Sequence, residues 1–247
     1  MSAFLDSDSA TSPEVEAAAK AGSLAVLSIG ALEQHGPHLP LVTDTVLAHG
    51  VARRVAAALG AWLLPPIAYG DAWNNEGLAG TISLSPETLR ASIEDIGRGV
   101  KRLGLAGLVT INGHFGNREP IALAARRLTG EFGLPVMHLD YPRLEAFAAE
   151  VVTSKPAGPG FFHADEVETS MMLALAPETV RMDLAQPEYP EFPETFGLEP
   201  MLLSTFNRSG VFGDPRPATA EKGDALLQRI ADETVRLVGL WRERHGI

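Results

Sequence analysis

The chain has 247 residues, a length that fits one large α/β domain better than two small ones. Hydrophobic residues make up 45% and charged residues 21%, proportions that exclude a disordered or fibrous protein. The formal net charge of −11 argues against a nucleic-acid partner, because phosphates attract basic surfaces. There are no cysteines, so disulfides, thiolate metal sites and thiol nucleophiles are excluded, and metal ligands must be histidine, aspartate or glutamate.

The sequence shows no targeting or membrane segment. No apolar run approaches the ~20 residues that cross a bilayer, so we expect no membrane partner. The N-terminal residues are polar and acidic and lack the basic and apolar regions of a signal peptide. We therefore expect a cytoplasmic protein with a single domain over residues 1–247, of which 1–20 form a loosely ordered extension.

Short apolar strands alternate with amphipathic helices along the chain. The patterns predict strands at 24–29, 62–68, 105–112 and 134–140. They predict helices at about 44–59, 86–103, 117–128 and 218–241, and another that opens within the segment HADEVETS. This alternation is typical of an α/β fold with a mostly parallel central sheet covered by helices on both faces.

Two irregular stretches, 69–84 and 183–217, are longer than ordinary connections. The second contains six prolines, and we expect it to lie over the surface as a lid or a subunit contact. The sequence does not decide between these two roles.

The first candidate motif, GALEQHGPHLPLVTDT, follows the first predicted strand. Glu33 and His35 are two residues apart, so their side chains project to the same side of an extended segment. Asp44 stands near the start of the next helix, where a helix cap is the simpler interpretation for it alone. Together the three residues form an oxygen and imidazole ligand set in a loop bent by glycine and proline.

A second motif, NGHFGN, lies at the predicted carboxyl end of another strand. Ligands of open parallel sheets bind beyond the carboxyl ends of the strands, so His114 is expected to face the same crevice as Glu33 and His35. A tight turn with an incidental histidine remains the alternative.

The third motif is HADEVETS, residues 163–170, at the start of a helix. Asp165 and Glu166 have a simple explanation, because acidic residues near a helix N-terminus are favoured by its dipole. Glu168 instead shares a helix face with Met171, Met172 and Leu175. A carboxylate directed inward needs a compensating partner, for which a metal ion is the simplest explanation. The choice of Glu168 over Glu166 as a metal ligand therefore rests on helical phase alone.

Other kinds of site lack their motifs. GALEQHG has glycines one residue too far apart for a P-loop and no Lys-Ser/Thr after them, and no GxGxxG follows a predicted strand. The GxSxG turn of a serine hydrolase is also missing.

The segments LEQHGPHLP with TDT, GTISLS, NGHFGN, HADEVETS and GDPRPATAEKG extend over residues 24–240. In this combination the sequence resembles the creatininase (creatinine amidohydrolase) family. The resemblance implies a three-layer α/β/α sandwich, two divalent metal ions per subunit and a homo-oligomer, often a hexamer. It further implies that Glu33 and His114 bind one metal ion, that His35 binds the other and that Asp44 bridges them. His163 matches the family's histidine at the substrate, a candidate proton-transfer group.

The sequence departs from creatininase at two positions. Gly116 stands where creatininase has a further metal-binding glutamate, so Glu168 is the natural replacement ligand. Pro159 stands where creatininase has a tryptophan that covers a flat heterocycle, although Trp73 in the loop after the second strand could replace this wall. A branch of the family with glycine at the first position resembles this chain better, and it includes formylamino-pyrimidine deformylases and the peptidase of mycofactocin maturation.

The leading hypothesis is a metal-dependent amidohydrolase for a small amide, lactam or formamide. In it, a hydroxide held between two metal ions attacks the amide carbon, and His163 protonates the leaving nitrogen. The alternatives are a peptidase of the mycofactocin-maturation type and a non-catalytic metal- or ligand-binding protein. The substrate is not identified, and zinc, manganese and iron all suit such ligands.

Overall fold

The computed structural model describes residues 4–158 and 160–247. Its strands are β1 (Leu5–Asp6), β2 (Leu24–Ile29), β3 (Trp62–Leu63), β4 (Gly107–Asn112) and β5 (Val136–Leu139). Its helices are α1 (Ser12–Lys20), α2 (Thr43–Leu59), α3 (Pro86–Leu103), α4 (Arg118–Gly130), α5 (Leu144–Val151), α6 (Glu166–Leu175) and α7 (Ala220–His245). Each described helix is too short or too polar to span a membrane.

The strands form one parallel sheet in the order β1-β3-β2-β4-β5. β2 and β4 pair along their whole length, and Ile29 at the end of β2 lies opposite Asn112 at the end of β4. The chain leaves β2 for β3 on one side and then crosses to β4 on the other. The carboxyl ends of β2 and β4 therefore flank the point where the strand order reverses, which is where α/β sheets bind ligands.

Alternate residues of β2 enter two separate hydrophobic cores. Leu24 and Val26 contribute to the core shared with α2, α6 and α7. Ala25, Leu27 and Ile29 contribute to the core shared with α3 and α4. Both faces of the sheet are thus covered, which explains why β2 is apolar almost throughout. The predicted three-layer α/β/α sandwich with a mostly parallel sheet is confirmed.

The expected loose ordering of residues 1–20 is wrong from Phe4 onward, and residues 1–3 lie outside the described part. β1 adds to the sheet edge because Leu5 pairs with Trp62 of β3. α1 is closed at its start by the Glu14 carboxylate, which accepts a hydrogen bond from Thr11 N at 2.7 Å.

Two other elements differ from the sequence interpretation. β3 is shorter than predicted because Pro65 and Pro66 follow it and cannot donate ladder hydrogen bonds. The strand direction resumes only at the isolated bridge between Ile67 and Ile29. The helix α5 was not predicted at all.

The stretch 183–217 contains short 3₁₀ turns, at Met182–Leu184 and Leu203–Thr205, and an isolated antiparallel bridge between Glu188 and Gly213. Its phenylalanines pack together, with Phe192 against Phe196 at 5.0 Å and against Phe206 at 5.5 Å between ring centroids. Phe161, which precedes the HADEVETS segment, packs against Phe212 at 4.8 Å. This aromatic cluster holds the long loop against the segment that leads into α6.

Candidate metal centre

The carboxyl ends of β2 and β4 and the start of α6 bring the sequence-predicted donors together. The segment after β2 carries Glu33 and His35, the first turn of α2 carries Asp44, the segment after β4 carries His114, and α6 carries Glu168. All five side chains are buried, as is the neighbouring His163. We call these six residues the donor cluster.

The metal-ligating atoms form three overlapping groups, with all ligand atoms of a group within 4.8 Å of one another. Two of them share Asp44, namely Glu33 with Asp44 and His114, and His35 with Asp44 and Glu168. The third is Glu33 with His35 and His163. Asp44 Oδ2 lies 3.1 Å from His114 Nδ1, and Asp44 Oδ1 lies 3.0 Å from His35 Nε2. The two oxygens of one carboxylate therefore face different groups, as a bridging ligand requires.

The three histidines of the donor cluster are held in the same way. In each ring one nitrogen lies against a main-chain carbonyl, so the other nitrogen is directed into the cluster. The distances are 3.2 Å from His35 Nδ1 to Glu33 O, 2.8 Å from His114 Nε2 to Asp71 O and 3.1 Å from His163 Nε2 to Gln34 O. Such a hydrogen bond fixes the ring orientation and is typical of metal-binding histidines.

The electrostatics of the cluster show a deficit of positive charge. Burial raises the pKa of Glu33, and it raises the pKa of Glu168 to about 8. Burial alone would lower the pKa of His35, but the nearby carboxylates, Asp44 foremost, outweigh it and raise the pKa to about 10. Among the described residues, the ion-pair partners of these carboxylates are histidines only. Bound cations would supply the missing charge.

One atom of the cluster is left without a partner. Asp44 Oδ2 is buried and accepts no hydrogen bond, although a buried carboxylate oxygen without a partner is costly. The donor set combines three carboxylates with imidazoles, which zinc, manganese and iron all accept. The residues present therefore fit a pair of divalent ions.

The helix-cap interpretation of Asp44 is wrong. Val42 is the N-cap of α2, and the Asp44 carboxylate faces the donor cluster instead. At α6 a cap does form, because Asp165 accepts hydrogen bonds from Val167 N at 3.0 Å and Glu168 N at 3.2 Å. His114 lies in the tight turn before α4, yet it is turned into the cluster, so it is not incidental to the turn.

Glu166 and Glu168 point to different surroundings. The Glu168 carboxylate lies 3.6 Å from His35 Nε2 and accepts a hydrogen bond from Ala164 N at 2.6 Å. The Glu166 carboxylate, fully buried, instead accepts from Ser154 N at 2.6 Å and pairs with Lys222 Nζ at 2.5 Å. The position of Glu168 at the donor cluster agrees with the helical phase inferred from the sequence, but Glu166 is buried as well, against other partners.

We expect Glu168→Gln to lower the metal content toward one ion per chain, because it removes a charged donor from one group only. Glu166→Gln is the matched control, since the same chemical change removes a buried ion pair but no donor of either group. It should keep its metal and lose about 1.5–3 kcal/mol of unfolding free energy, the range for hydrogen bonds to charged groups. Elemental analysis and urea unfolding measure the two effects, and the reverse pattern would contradict the assignment.

Several polar residues that support the cluster were missed by the sequence analysis. Asn75 Nδ2 donates to Glu33 Oε2 at 2.7 Å, and Gln34 Nε2 lies 2.9 Å from Asn75 Oδ1 and 2.8 Å from His163 Nε2. The Tyr141 hydroxyl is buried without a hydrogen-bond partner, and burial together with the charge of Asp44 raises its pKa well above the usual value. Gln34 stands inside the first motif, whereas nothing in the local sequence around Asn75 or Tyr141 indicates their positions.

Of the two positions at which the sequence departs from creatininase, the structure describes Gly116 but not Pro159. A Cβ atom at Gly116 would lie 2.0 Å from Asp71 O and 2.8 Å from His114 Nε2, so the present loop leaves no space for a side chain. Pro159 lies outside the described residues. Trp73 does not form the alternative wall, because its side chain is not among those that line the cavities beside the cluster.

A cavity of about 260 Å³ opens over the donor cluster, and both long irregular stretches contribute to its walls. Asn74 and Asn75 come from the first stretch, and Phe196, Met201 and Leu203 come from the second. The stretch 183–217 is thus part of the site and does not merely cover the outer surface.

The fold thus places a buried set of carboxylate and imidazole donors, of the kind that binds divalent metal ions, at the switch point of its sheet. The sequence model of the creatininase family, described as creatinine amidohydrolase, matches residues 8–238. The chain therefore belongs to the creatininase family.

Individual relatives carry different activities. The chain is 35% identical over 230 residues to the mycofactocin precursor peptide peptidase of Mycobacterium ulcerans (strain Agy99), with 87% of this chain and 84% of the relative covered. It is 32% identical over 238 residues to the creatinine amidohydrolase of Pseudomonas putida, with 89% and 92% covered.

Solved structures agree with this relationship. A crystal structure of creatininase superposes with a TM-score of 0.83 at 30% identity and covers 96% of this chain and 97% of its own. Two further creatininase structures are described as a manganese form and as a zinc form of a mutant, with TM-scores of 0.81 and 0.83.

Proposed function

We propose that this chain hydrolyses a C–N bond of a small amide, lactam or formamide with the help of two divalent metal ions. Glu33 and His114 would hold one ion, His35 and Glu168 the other, and Asp44 both. The observation that carries the proposal is the pair of donor groups that share the two oxygens of Asp44. The manganese and zinc forms of related creatininase support divalent ions of this kind.

When bound, the ions would supply Lewis acidity that polarises the carbonyl and lowers the pKa of water. The chain itself has to position the amide and move one proton. His163 Nδ1 points into the cluster, 3.7 Å from Glu33 Oε1, while Gln34 holds the opposite ring nitrogen. Burial lowers the pKa of His163 well below the usual value, which favours the neutral ring. It would take the proton released as water adds to the carbonyl carbon and deliver it to the leaving nitrogen as the C–N bond breaks.

Metal-dependent release of amine from an amide panel tests the proposal. The panel should contain formamides, lactams and short peptides, assayed with metal-free protein and after addition of zinc, manganese or iron. We expect turnover only with metal. Metal binding without turnover of any amide would instead favour a non-catalytic binding protein.

A peptidase is the second candidate, and the 35% identity to a mycofactocin precursor peptide peptidase favours it. The same panel separates the two, because a peptidase should turn over the short peptides faster than the formamides and lactams. That the chain forms a homo-oligomer stays a prediction, which light scattering can test.

Creatinine is expected to be a poor substrate. Gly116 has no side chain where creatininase has a metal-binding glutamate. The present loop also leaves no space for one, because a Cβ atom there would collide with Asp71 O. At the sequence level, Pro159 replaces a tryptophan whose flat face would cover a heterocycle, so contact area and water exclusion should both fall. Steady-state kinetics should give a kcat/KM for creatinine below ~10⁴ M⁻¹s⁻¹, the lower end of ordinary enzymes. A higher value would contradict this prediction.

A further inference from the structure

A second cavity, of about 530 Å³, meets the first at the donor cluster. The two cavities share lining residues on both sides of the cluster, namely Gly113, His114, Phe115, Gly160, Phe162 and Glu168. The candidate reaction site therefore lies at the junction of two spaces, which we call the apolar cavity (about 260 Å³) and the charged cavity (about 530 Å³). A substrate that extends to both sides of its scissile bond can occupy both.

The two cavities differ in their side chains. Beyond the shared residues, Phe161, Phe196, Met201 and Leu203 make the smaller one largely apolar. Beyond the same shared residues, the larger one is lined by the charged Arg118, Asp140, Arg143 and Glu145 and also by the apolar Leu144, Val167 and Met171. Among the described residues that line either cavity, the arginines at 118 and 143 are the basic ones, and both belong to the charged cavity.

Arg143 is the arginine that remains available to a ligand. Arg118 Nε already lies 2.5 Å from Asp140 Oδ2, and its guanidinium stacks on Phe115 at 4.1 Å from the ring centroid. Arg143 forms no direct ion pair among the described residues, and its guanidinium lies 5.3 Å from the centroid of the Phe147 ring. Its charge also acts on Glu233 of α7, but that carboxylate is paired with Arg236. It also has φ of 61°, a left-handed conformation that is unfavourable for arginine and concentrates at functional sites. Ala164, the other described non-glycine residue with positive φ, holds Glu168 through its N–H.

We propose that the charged cavity binds a carboxylate of the substrate through Arg143, while the apolar cavity binds an aromatic or branched group on the other side of the scissile bond. This inference rests on the proposed amide hydrolysis. His163 lines the apolar cavity and not the charged one, and it is the group placed to protonate the leaving nitrogen. The amine half therefore enters the apolar cavity, and the acyl half carries the carboxylate.

The reaction on such a substrate balances without a further reactant. N-succinyl-phenethylamine and one water would give succinate and phenethylamine, as the water oxygen bonds to the acyl carbon and the nitrogen leaves with a proton. The neutral comparison compound is the corresponding succinamide, in which a primary amide replaces the free carboxylate at nearly constant shape.

The test compares kcat/KM for these two compounds. We expect the metal-loaded protein to have a kcat/KM about 10-fold higher for the carboxylate than for the succinamide, because a hydrogen bond between charged groups contributes about this much. Arg143→Gln should bring the ratio of the two kcat/KM values near 1. Glu145→Gln removes a negative charge from the same rim and should raise the ratio. Arg126→Gln, an exposed arginine of α4 outside both cavities, is the control for net charge and should leave the ratio as it is.

Calorimetry with metal-loaded His163→Ala protein measures the binding of both compounds independently of turnover. We expect this protein to bind the carboxylate more tightly than the succinamide, and we expect the difference to disappear when Arg143→Gln is added. A preference that survives Arg143→Gln would show that another group, Arg118 or a bound metal ion, binds the carboxylate, and it would overturn the inference. No preference, or a preference only when the carboxylate is on the amine half, would also overturn it. If no amide is hydrolysed, the proposed function fails, and the calorimetry alone decides the role of Arg143.

Discussion

Replacing Asp44 with asparagine is expected to cause the largest loss of bound metal of any single substitution in this protein. Asp44 is the residue common to both donor groups, and each of its oxygens faces a different histidine. Asparagine keeps the size of the side chain but removes its charge and replaces one carboxylate oxygen with an NH2 group, which cannot bind a cation. Metal content should fall from about two ions per chain to less than one, and amide turnover should fall by about 10³-fold or more.

Elemental analysis after dialysis, with the protein concentration measured independently, provides the metal count. Glu94→Gln is a suitable control, because Glu94 is a buried carboxylate of α3 that pairs with Arg127 outside the donor cluster. It should keep the wild-type metal content even if it lowers stability. Full metal occupancy in the Asp44 variant, or fully active wild-type protein with only trace metal, would contradict the dinuclear site.

Replacing His163 with alanine is expected to remove turnover while leaving the metal in place. The proposed roles do not need His163 as a ligand, because the two donor groups that share Asp44 do not include it. Loss of a proton-transfer group typically costs on the order of 10²–10⁴-fold in rate. The reduction should appear mainly in kcat, because the ring is proposed to move a proton and not to hold the substrate.

The metal content of this variant decides between two roles. Glu33, His35 and His163 also lie close enough to form a donor group of their own, so loss of one ion would make His163 a ligand. His38→Ala is the matched control, because His38 is buried nearby but lies against Thr169 Oγ1 at 2.9 Å, outside these donor groups. Its metal content and rate should change far less.

Much of the candidate site could be predicted from motifs because they follow the ends of strands. His114 and the Glu33–His35 pair come directly after β4 and β2, whose parallel pairing brings their carboxyl ends to one edge of the sheet. Glu168 could be chosen over Glu166 because the 3.6-residue period of a helix puts it on the face of Met171 and Met172, although the structure buries both carboxylates. Local rules of this kind depend on neighbouring residues alone.

Residues whose roles depend on long-range packing could not be predicted. Asn75 supports Glu33 from a loop 42 positions along the chain, and Arg143 reaches the charged cavity only because α5 begins there. The extension at residues 4–20 was assigned too little structure for a related reason, since β1 is only two residues long and is stabilised by pairing with β3.

The sequence by itself determined the α/β class, the family and the chemistry of the donor set, because strand and helix periods and ligand types are local properties. Only the tertiary structure showed that Asn75 supports Glu33, that the stretch 183–217 forms a wall of the apolar cavity, and that a second cavity carries Arg143. These features depend on distances between segments far apart in the chain. Such distances are set by how the whole sheet and its helices pack, and no local pattern encodes them.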